Sequence, residues 1–460
     1  MMPRSTLSLM AADHRRVQQH LFPGDGEEAV AVLVCTRVPQ PRQRLLVRDV
    51  ILVPHDKCAR RSEHALTWPG AYIEQAIDQA EEEQLSIILL HSHPNGYAAF
   101  SGTDDESDRA VIPCIFEAVG DVHGSAVMLP GGAIFARLYD RAGVFTPVDL
   151  VSMAGDDLHY WWREALDAAT KRPMAFTGQM TREVSKLTAV VIGVSGTGSI
   201  AGEQVSRLGF GRVIGIDHDH VEHKNLNRIL NTVKRDADDK RPKVEAFGEQ
   251  VNRYRDKPHF EGIAADLFTR EAVLAASQAD VVFCCVDTHQ GRMLADRLAQ
   301  AFLLPLFDVG VAIPTRKVAE GLAIAEVTGR IDYVQPGGSS LGNREVFTPA
   351  TLQAEALAKA DPLAHADQVK AGYIEGLPEQ APSVIALNMR AASACVMEFI
   401  ARAYPFRHEH NSAYARTRFM LAEAFEEFTS EGEFRQSASL LLASGAREPL
   451  LGLPALGSED

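Results

Sequence analysis

The spacing of apolar residues changes several times along the chain, and each change predicts a different element. EAVAVLVCTR (28–37) and LVRDVILVP (46–54) are dense in β-branched and aliphatic residues and predict strands. GAYIEQAIDQAEEEQL (70–85) instead returns apolar residues at helical spacing between charges. SIILLHSHP predicts a buried strand that delivers His91 and His93 at its end, and VHGSAVMLPGGAIFARLYD (122–140) reads as strand, turn and strand. These elements define an N-terminal α/β domain over residues 1–150. DDLHYWWREALDAATKRPMAFTGQ (156–179) reads as an amphipathic helix and loop, so 151–182 is expected to be a helical linker. From Thr188 strands and helices alternate: TAVVIGVSGTGS, GRVIGIDHD and ADVVFCCVDT predict a mostly parallel sheet in a domain over 183–410. Residues 340–380 have helical character, APSVIALNMRAASACVMEFIARAYPF (381–406) predicts a buried helix, and 411–460 is expected to be a helical extension ending in a loosely held tail.

A length of 460 residues exceeds what one core supports, in keeping with two domains. The formal net charge of −15 comes with no Lys/Arg-rich stripe, which argues against nucleic acid as a partner. Six scattered cysteines without a CxxC pair read as reduced thiols. No signal peptide and no run of membrane-spanning length stand out, so the expected compartment is the cytoplasm.

The first chemical motif is HSHPNGYAAFSGTDD (91–105). Two histidines at i, i+2 on a strand end point the same way, and Asp104 can return as a third ligand from a helix start. Three protein ligands leave a fourth position for water, whose pKa zinc lowers to about 7. A carboxylate must then move the proton, and strand-borne Glu28 is the choice over Glu27; Ser101 is placed to donate to the oxyanion. A His-x-His pair near an aspartate is by itself also compatible with a surface cluster. The full spacing, His-x-His-x7-Ser-x2-Asp, resembles the JAMM signature of the JAB/MPN metalloproteases, carried by His91, His93, Ser101 and Asp104. That family's glutamate lies in a Glu-x-x-Gly-like strand; here Ala31 stands at the glycine position. The resemblance implies a zinc peptidase or isopeptidase that cuts after the C-terminal glycine of a ubiquitin-like protein.

The second motif is VVIGVSGTGSIAGEQVSRLG. Gly193, Gly196 and Gly198 let the backbone turn tightly and approach phosphate at a helix N-terminus. Asp217 closes the next strand 19 residues after Gly198, where it can accept ribose hydroxyls. Those features suit NAD equally well. The further residues Asn225, Arg228, Lys243, Asp287 and Arg292 suit charge neutralisation in nucleotidyl transfer better than hydride transfer. Asp217 through Arg228 resembles the Asp-x-Asp-x-Val-Glu-x-x-Asn-Leu-x-Arg pattern of E1-like ThiF/MoeB adenylyltransferases, with Ser195 in place of the second glycine of their loop. The resemblance implies ATP and Mg2+ as cofactors, Asp217 on ribose, Asn225, Arg228 and Lys243 on phosphates, and Asp287 on magnesium. It also implies a homodimer, to which Arg172 would donate across the interface, although KRPMAF departs from that motif.

E1-like enzymes that form thioesters carry a cysteine about 50 residues after the magnesium aspartate, and this chain has GRIDYVQPGGSSLGNREVF there. No cysteine lies between Cys285 and Cys395, and Cys395 sits on an apolar helix face. Three routes stay open: direct transfer from the acyl-adenylate, an oxyester on Ser339 or Ser340, or exposure of Cys395. PGGSS also reads simply as a turn. The joint resemblance is to bacterial JAB–E1 fusions of ubiquitin-like conjugation operons, associated with antiviral defence. It implies a bifunctional enzyme with a ubiquitin-like partner and an E2-like protein. The alternatives are trimming and activation of a sulfur-carrier protein, or a scaffold with one degenerate site.

Overall fold

The computed structural model describes residues 2–38, 40–164, 172–319, 321–370 and 384–457. Among them, nine strands form a first sheet in the order Leu158–Trp162, Leu150–Ala154, Ser5–Met10, Gln43–Leu52, Val30–Val38, Ser86–Ser92, His123–Met128, Ile134–Tyr139, Phe145–Pro147. Its central strand shows why the sequence folds this way. Alternate residues of a strand face opposite sides, and Ala31, Leu33 and Cys35 enter the core under helix Ala11–Leu21. Val32 and Val34 enter a separate core under helices Ala71–Glu81 and Gly102–Ala118. Burial on both faces explains the unbroken apolar run.

The second sheet has five parallel strands, Phe260–Ile263, Arg212–Ile216, Thr188–Ile192, Val281–Cys284 and Leu306–Ala312. Three antiparallel strands continue it: Thr328–Val334, Arg416–Met420 and Phe425–Thr429. Helices Gly196–Leu208 and Ile385–Ala403 cover one face, and Arg270–Ala276 and His289–Ala301 the other. The α/β class and the Rossmann-like second domain are therefore as expected.

Two expectations fail. The stretch taken as a helical linker contains strand Leu158–Trp162, antiparallel to Leu150–Ala154. LHYWW is rich in aromatics that pack well on a pleated surface, and it serves two cores: Trp161 enters the first domain, Leu158 and Trp162 the second. A helix does occur at Gly178–Val184, capped by Thr177; residues 165–171 lie outside the described residues. Among its described residues the C-terminal extension has no α-helix, only short 3-10 turns, and it supplies the last two strands of the second sheet. Its tail is docked rather than loose, because Leu450, Leu451 and Leu456 are buried in the second core and both Arg297 Nε and Nη2 donate to Leu451 O, at 2.9 and 2.6 Å.

The domains meet at the amino-terminal ends of the parallel strands. Arg42 donates to both carboxylate oxygens of Asp280, at 3.0 and 2.7 Å, and Asp280 also accepts Thr188 N at the start of the central strand. Arg44 donates to the carbonyls of Ser277 and Phe302, the residues that end two helices. Helix C-termini leave unpaired carbonyls and partial negative charge, so a buried guanidinium is accommodated there without a carboxylate. The tail joins this seam: Thr36 Oγ donates to Ala443 O at 2.7 Å, and Gly445 N to Ala301 O at 2.8 Å.

Candidate functional site

The described residues contain two separate constellations. In the first domain, strand pairing sets Val30 opposite His91, which brings the end of Ser86–Ser92 beside Glu28. His91 Nε2 and His93 Nε2 lie 3.1 Å apart, and Asp104 carboxylate oxygens lie 3.1 Å from the first and 3.5 Å from the second. A four-coordinate ion bonded at about 2.0–2.1 Å sets its ligand atoms about 3.3 Å apart. The three donors therefore already have the spacing that a metal requires.

The surrounding bonds hold them there. His93 Nδ1 is 2.8 Å from Tyr97 O and donates to it, which holds the ring with Nε2 facing the site. Ser101 caps helix Gly102–Ala118 and forms a reciprocal box with Asp104: Asp104 N donates to Ser101 Oγ at 3.2 Å, and Ser101 N to Asp104 Oδ2 at 2.6 Å. The box aims the aspartate at the histidines and leaves the Ser101 hydroxyl proton free to donate. Burial opposes ionisation of Asp104, but hydrogen bonds from the two histidines outweigh it and hold the carboxyl far below its ordinary range. Glu28 is buried, and desolvation raises its carboxyl against the pull of His91 and His93. Glu27 turns away toward Arg61, 3.7 Å distant.

In the second domain Gly193 has φ +82°, the left-handed region that favours glycine. A Cβ on Gly198 would stand 1.6 Å from Gly193 O, so only glycine permits this approach of helix to strand. Ser195 gives helix Gly196–Leu208 no side-chain cap, which leaves its first N–H groups for an anion. Asp217 accepts Val194 N at 2.8 Å and Asp219 N at 2.9 Å, joining the ends of two strands. Desolvation raises its carboxyl, with Lys243 acting against that rise. Arg228 lies over the helix start, its Cδ 3.2 Å from where a Cβ on Gly196 would be, and donates to Lys224 O. Asn225 is buried, and its Oδ1 accepts Glu222 N, fixing the turn that carries Arg228. Asp287 is exposed just beyond strand Val281–Cys284.

Two residues not singled out from the sequence belong to this site. Asp219 accepts the Lys243 ammonium at 2.6 Å, and its own carbonyl accepts Lys243 N at 2.9 Å. Asn388, on Ile385–Ala403, has its Nδ2 2.5 Å from the Cβ position of Gly196. Asp219 was visible as the second acid of the Asp-x-Asp pattern; Asn388, distant in sequence, gave no signal.

The serines considered as acyl acceptors are structural. Ser339 is fully buried, its Oγ accepting Arg344 Nε at 2.9 Å, and Ser340 Oγ bonds Asn343 within a turn. Cys284 and Cys395 are buried and Cys285 is half-buried, and burial raises all three thiols well above the ordinary range. Arg172 pairs within its own chain with Asp157 and His159.

The family model of prokaryotic homologs of the JAB domain matches residues 10–139, and the ThiF family model matches residues 170–358. The chain joins a JAB domain to a ThiF-family domain. The His91–His93–Asp104 group thus lies in the JAB domain and the glycine cradle in the E1-like ThiF domain. Ubiquitin-like modifier-activating enzyme 5 of Drosophila persimilis is 26% identical over 165 residues, 33% of this chain and 39% of that enzyme. Its counterpart from Culex quinquefasciatus is 26% identical over 167 residues, 34% and 38% of the two chains. The chain thus spans under two fifths of the length of these relatives. E. coli MccB, solved with ATP, aligns over 57% of this chain and 68% of its own, with 14% identity and a TM-score of 0.43. No described helix is long and apolar enough to cross a membrane.

Proposed function

We propose that the chain is a bifunctional enzyme acting on the C-terminal tail of a ubiquitin-like protein, hydrolysing a bond beyond the terminal glycine at the JAB centre and adenylating the freed carboxylate at the ThiF centre. The observation that carries this reading is the presence, in one chain, of a three-donor metal site flanked by a buried carboxylate and of a glycine cradle flanked by Asp217 and Lys243.

His91, His93 and Asp104 fit zinc in number, type and spacing. When bound, the ion supplies an acidified water and polarises the scissile carbonyl. Glu28, desolvated beside the histidines, takes a proton from water and returns it to the leaving amine, while the Ser101 hydroxyl donates to the oxyanion. In the ThiF domain the cradle and the uncapped helix start receive the triphosphate, Asp217 the ribose, Arg228 and Lys243 the phosphate charge, and Asp287 magnesium. The tail carboxylate attacks the α-phosphorus, the bond to pyrophosphate breaks, and an acyl-adenylate results. With Ser339 buried and no freely exposed thiol on the domain, the adenylate passes straight to a partner's nucleophile, for which an E2-like protein is the natural candidate.

The test is a pair of assays on a candidate ubiquitin-like protein in two forms: intact mass of a C-terminally extended form after incubation with zinc, and ATP–pyrophosphate exchange with magnesium on the mature form that already ends in glycine. His91→Ala should stop trimming and spare exchange, and Asp287→Ala should do the reverse. Loss of both activities in either folded variant defeats the reading of two independent centres.

A further inference from the structure

Gly310 lies on strand Leu306–Ala312, two residues beyond Asp308, which pairs with Cys284 of the neighbouring strand. Asp287, the proposed magnesium ligand, follows Cys284 by three residues, and its charge acts on Arg292. A Cβ built on Gly310 would find three guanidinium nitrogens as its nearest neighbours: Arg330 Nη2 at 3.1 Å, Arg292 Nη2 at 3.3 Å and Arg330 Nε at 3.7 Å. The glycine is partly exposed. The missing side chain lets the two guanidiniums lie close against the backbone of this strand.

Both arginines are held from behind. Asp308, fully buried, accepts Arg292 Nε at 3.3 Å and Arg330 Nη2 at 2.7 Å, and Asp332 accepts Arg330 Nη1. Among the hydrogen bonds of the described residues, the terminal nitrogens of Arg292 and Nε of Arg330 have no acceptor. Asp332 is shared with Arg344 and Arg416, so it does not neutralise Arg330 alone. A planar fork of fixed donors suits a carboxylate oxygen.

We infer that Arg292 and Arg330, over the bare backbone of Gly310, receive the terminal carboxylate of the tail that is to be adenylated. The inference rests on the proposed adenylation. One carboxylate oxygen accepts from the guanidinium nitrogens that have no acceptor, and the other stays free to attack the α-phosphorus. The guanidiniums offset the repulsion between an incoming anion and the triphosphate.

The test measures binding of a fluorescent hexapeptide ending in Gly-Gly, as free acid and as carboxamide, to the full chain with magnesium and a non-hydrolysable ATP analogue. The acid should bind at least about tenfold tighter than the amide, as expected for a charge-assisted pair. Gly310→Ala demands no new backbone conformation but sets a methyl 3.1 and 3.3 Å from Arg330 Nη2 and Arg292 Nη2, which must shift; it should remove most of that preference while leaving analogue affinity unchanged, and Arg330→Gln should do the same. A wild type that does not distinguish acid from amide, or variants that keep the preference, overturns the inference. Variants that instead weaken the analogue assign the two arginines to a phosphate oxygen and overturn it too. Failure of pyrophosphate exchange with an intact acid preference would count against the adenylation reading alone.

Discussion

The two centres differ in how ready they are. At the JAB centre short side chains on a strand end and a helix start already converge, with Nε2 atoms 3.1 Å apart and each support bond in place. At the ThiF centre the cradle is formed but its cations rest on their own chain: Lys243 on Asp219 and Arg228 on Lys224 O. The difference teaches that a metal site has to be built by rigid neighbours, whereas a triphosphate can gather long, flexible cations from acceptors that it displaces. Neither set of residues takes part in the Arg42–Asp280 seam, so the two chemistries are open to separate perturbation.

The most drastic way to separate them is to remove a rigid donor. His93→Ala should lower bound zinc, read by elemental analysis, and cut tail trimming by about a thousandfold or more, since two remaining donors hold zinc poorly. Pyrophosphate exchange should stay near wild type. Retained zinc at one equivalent would mean that the three donors are not the metal site.

Steric closure of the cradle comes next. Gly198→Ala forces a methyl against Gly193 O, a contact backbone cannot relieve cheaply. ATP binding by calorimetry should be lost, with stability lower by about 2–3 kcal/mol. Gly102, where a Cβ meets nothing within 4 Å, is the matched control in the JAB domain.

Much of this was legible beforehand because the decisive residues are local. His91, His93, Ser101 and Asp104 span fourteen positions, and Gly193 to Gly198 only six, so strand-end and helix-start geometry translate directly into convergence. What escaped depends on distant chain. LHYWW reads as helical by charge and spacing, yet its side chains find cores in both domains, one built partly by residues beyond 380. The tail reads as loose in the sequence, yet Leu450 and Leu451 meet a groove made 150 residues earlier. Ser339 is open in the sequence to either reading, acyl acceptor or plain turn, and the bonds from Arg344 and to distant Glu431 bury it.

A milder change sharpens the notion of resting cations. Asp219→Asn keeps the backbone bond from Lys243 N and removes the carboxylate competing for its ammonium. If phosphate displaces Asp219, this variant should bind ATP about three- to tenfold more tightly, in line with the modest worth of a half-exposed pair. Weaker binding would show instead that Asp219 aims Lys243 rather than delaying it.

The smallest effect concerns pH. In its proposed role Asp217 accepts ribose hydroxyls best as a carboxylate, and burial raises its carboxyl above the ordinary aspartate value, with Lys243 opposing. A raised value means that the proton returns at a higher pH than for an exposed aspartate. On acidification ATP affinity should therefore begin to fall while surface carboxylates are still charged, by a few-fold across the upper part of that titration. Asp217→Asn should bind more weakly at neutral pH but show a flatter profile, and Asp219→Asn should move the wild-type inflection by altering where Lys243 sits. An unchanged acid limb in Asp217→Asn would place the titrating group elsewhere, and with it the ribose contact.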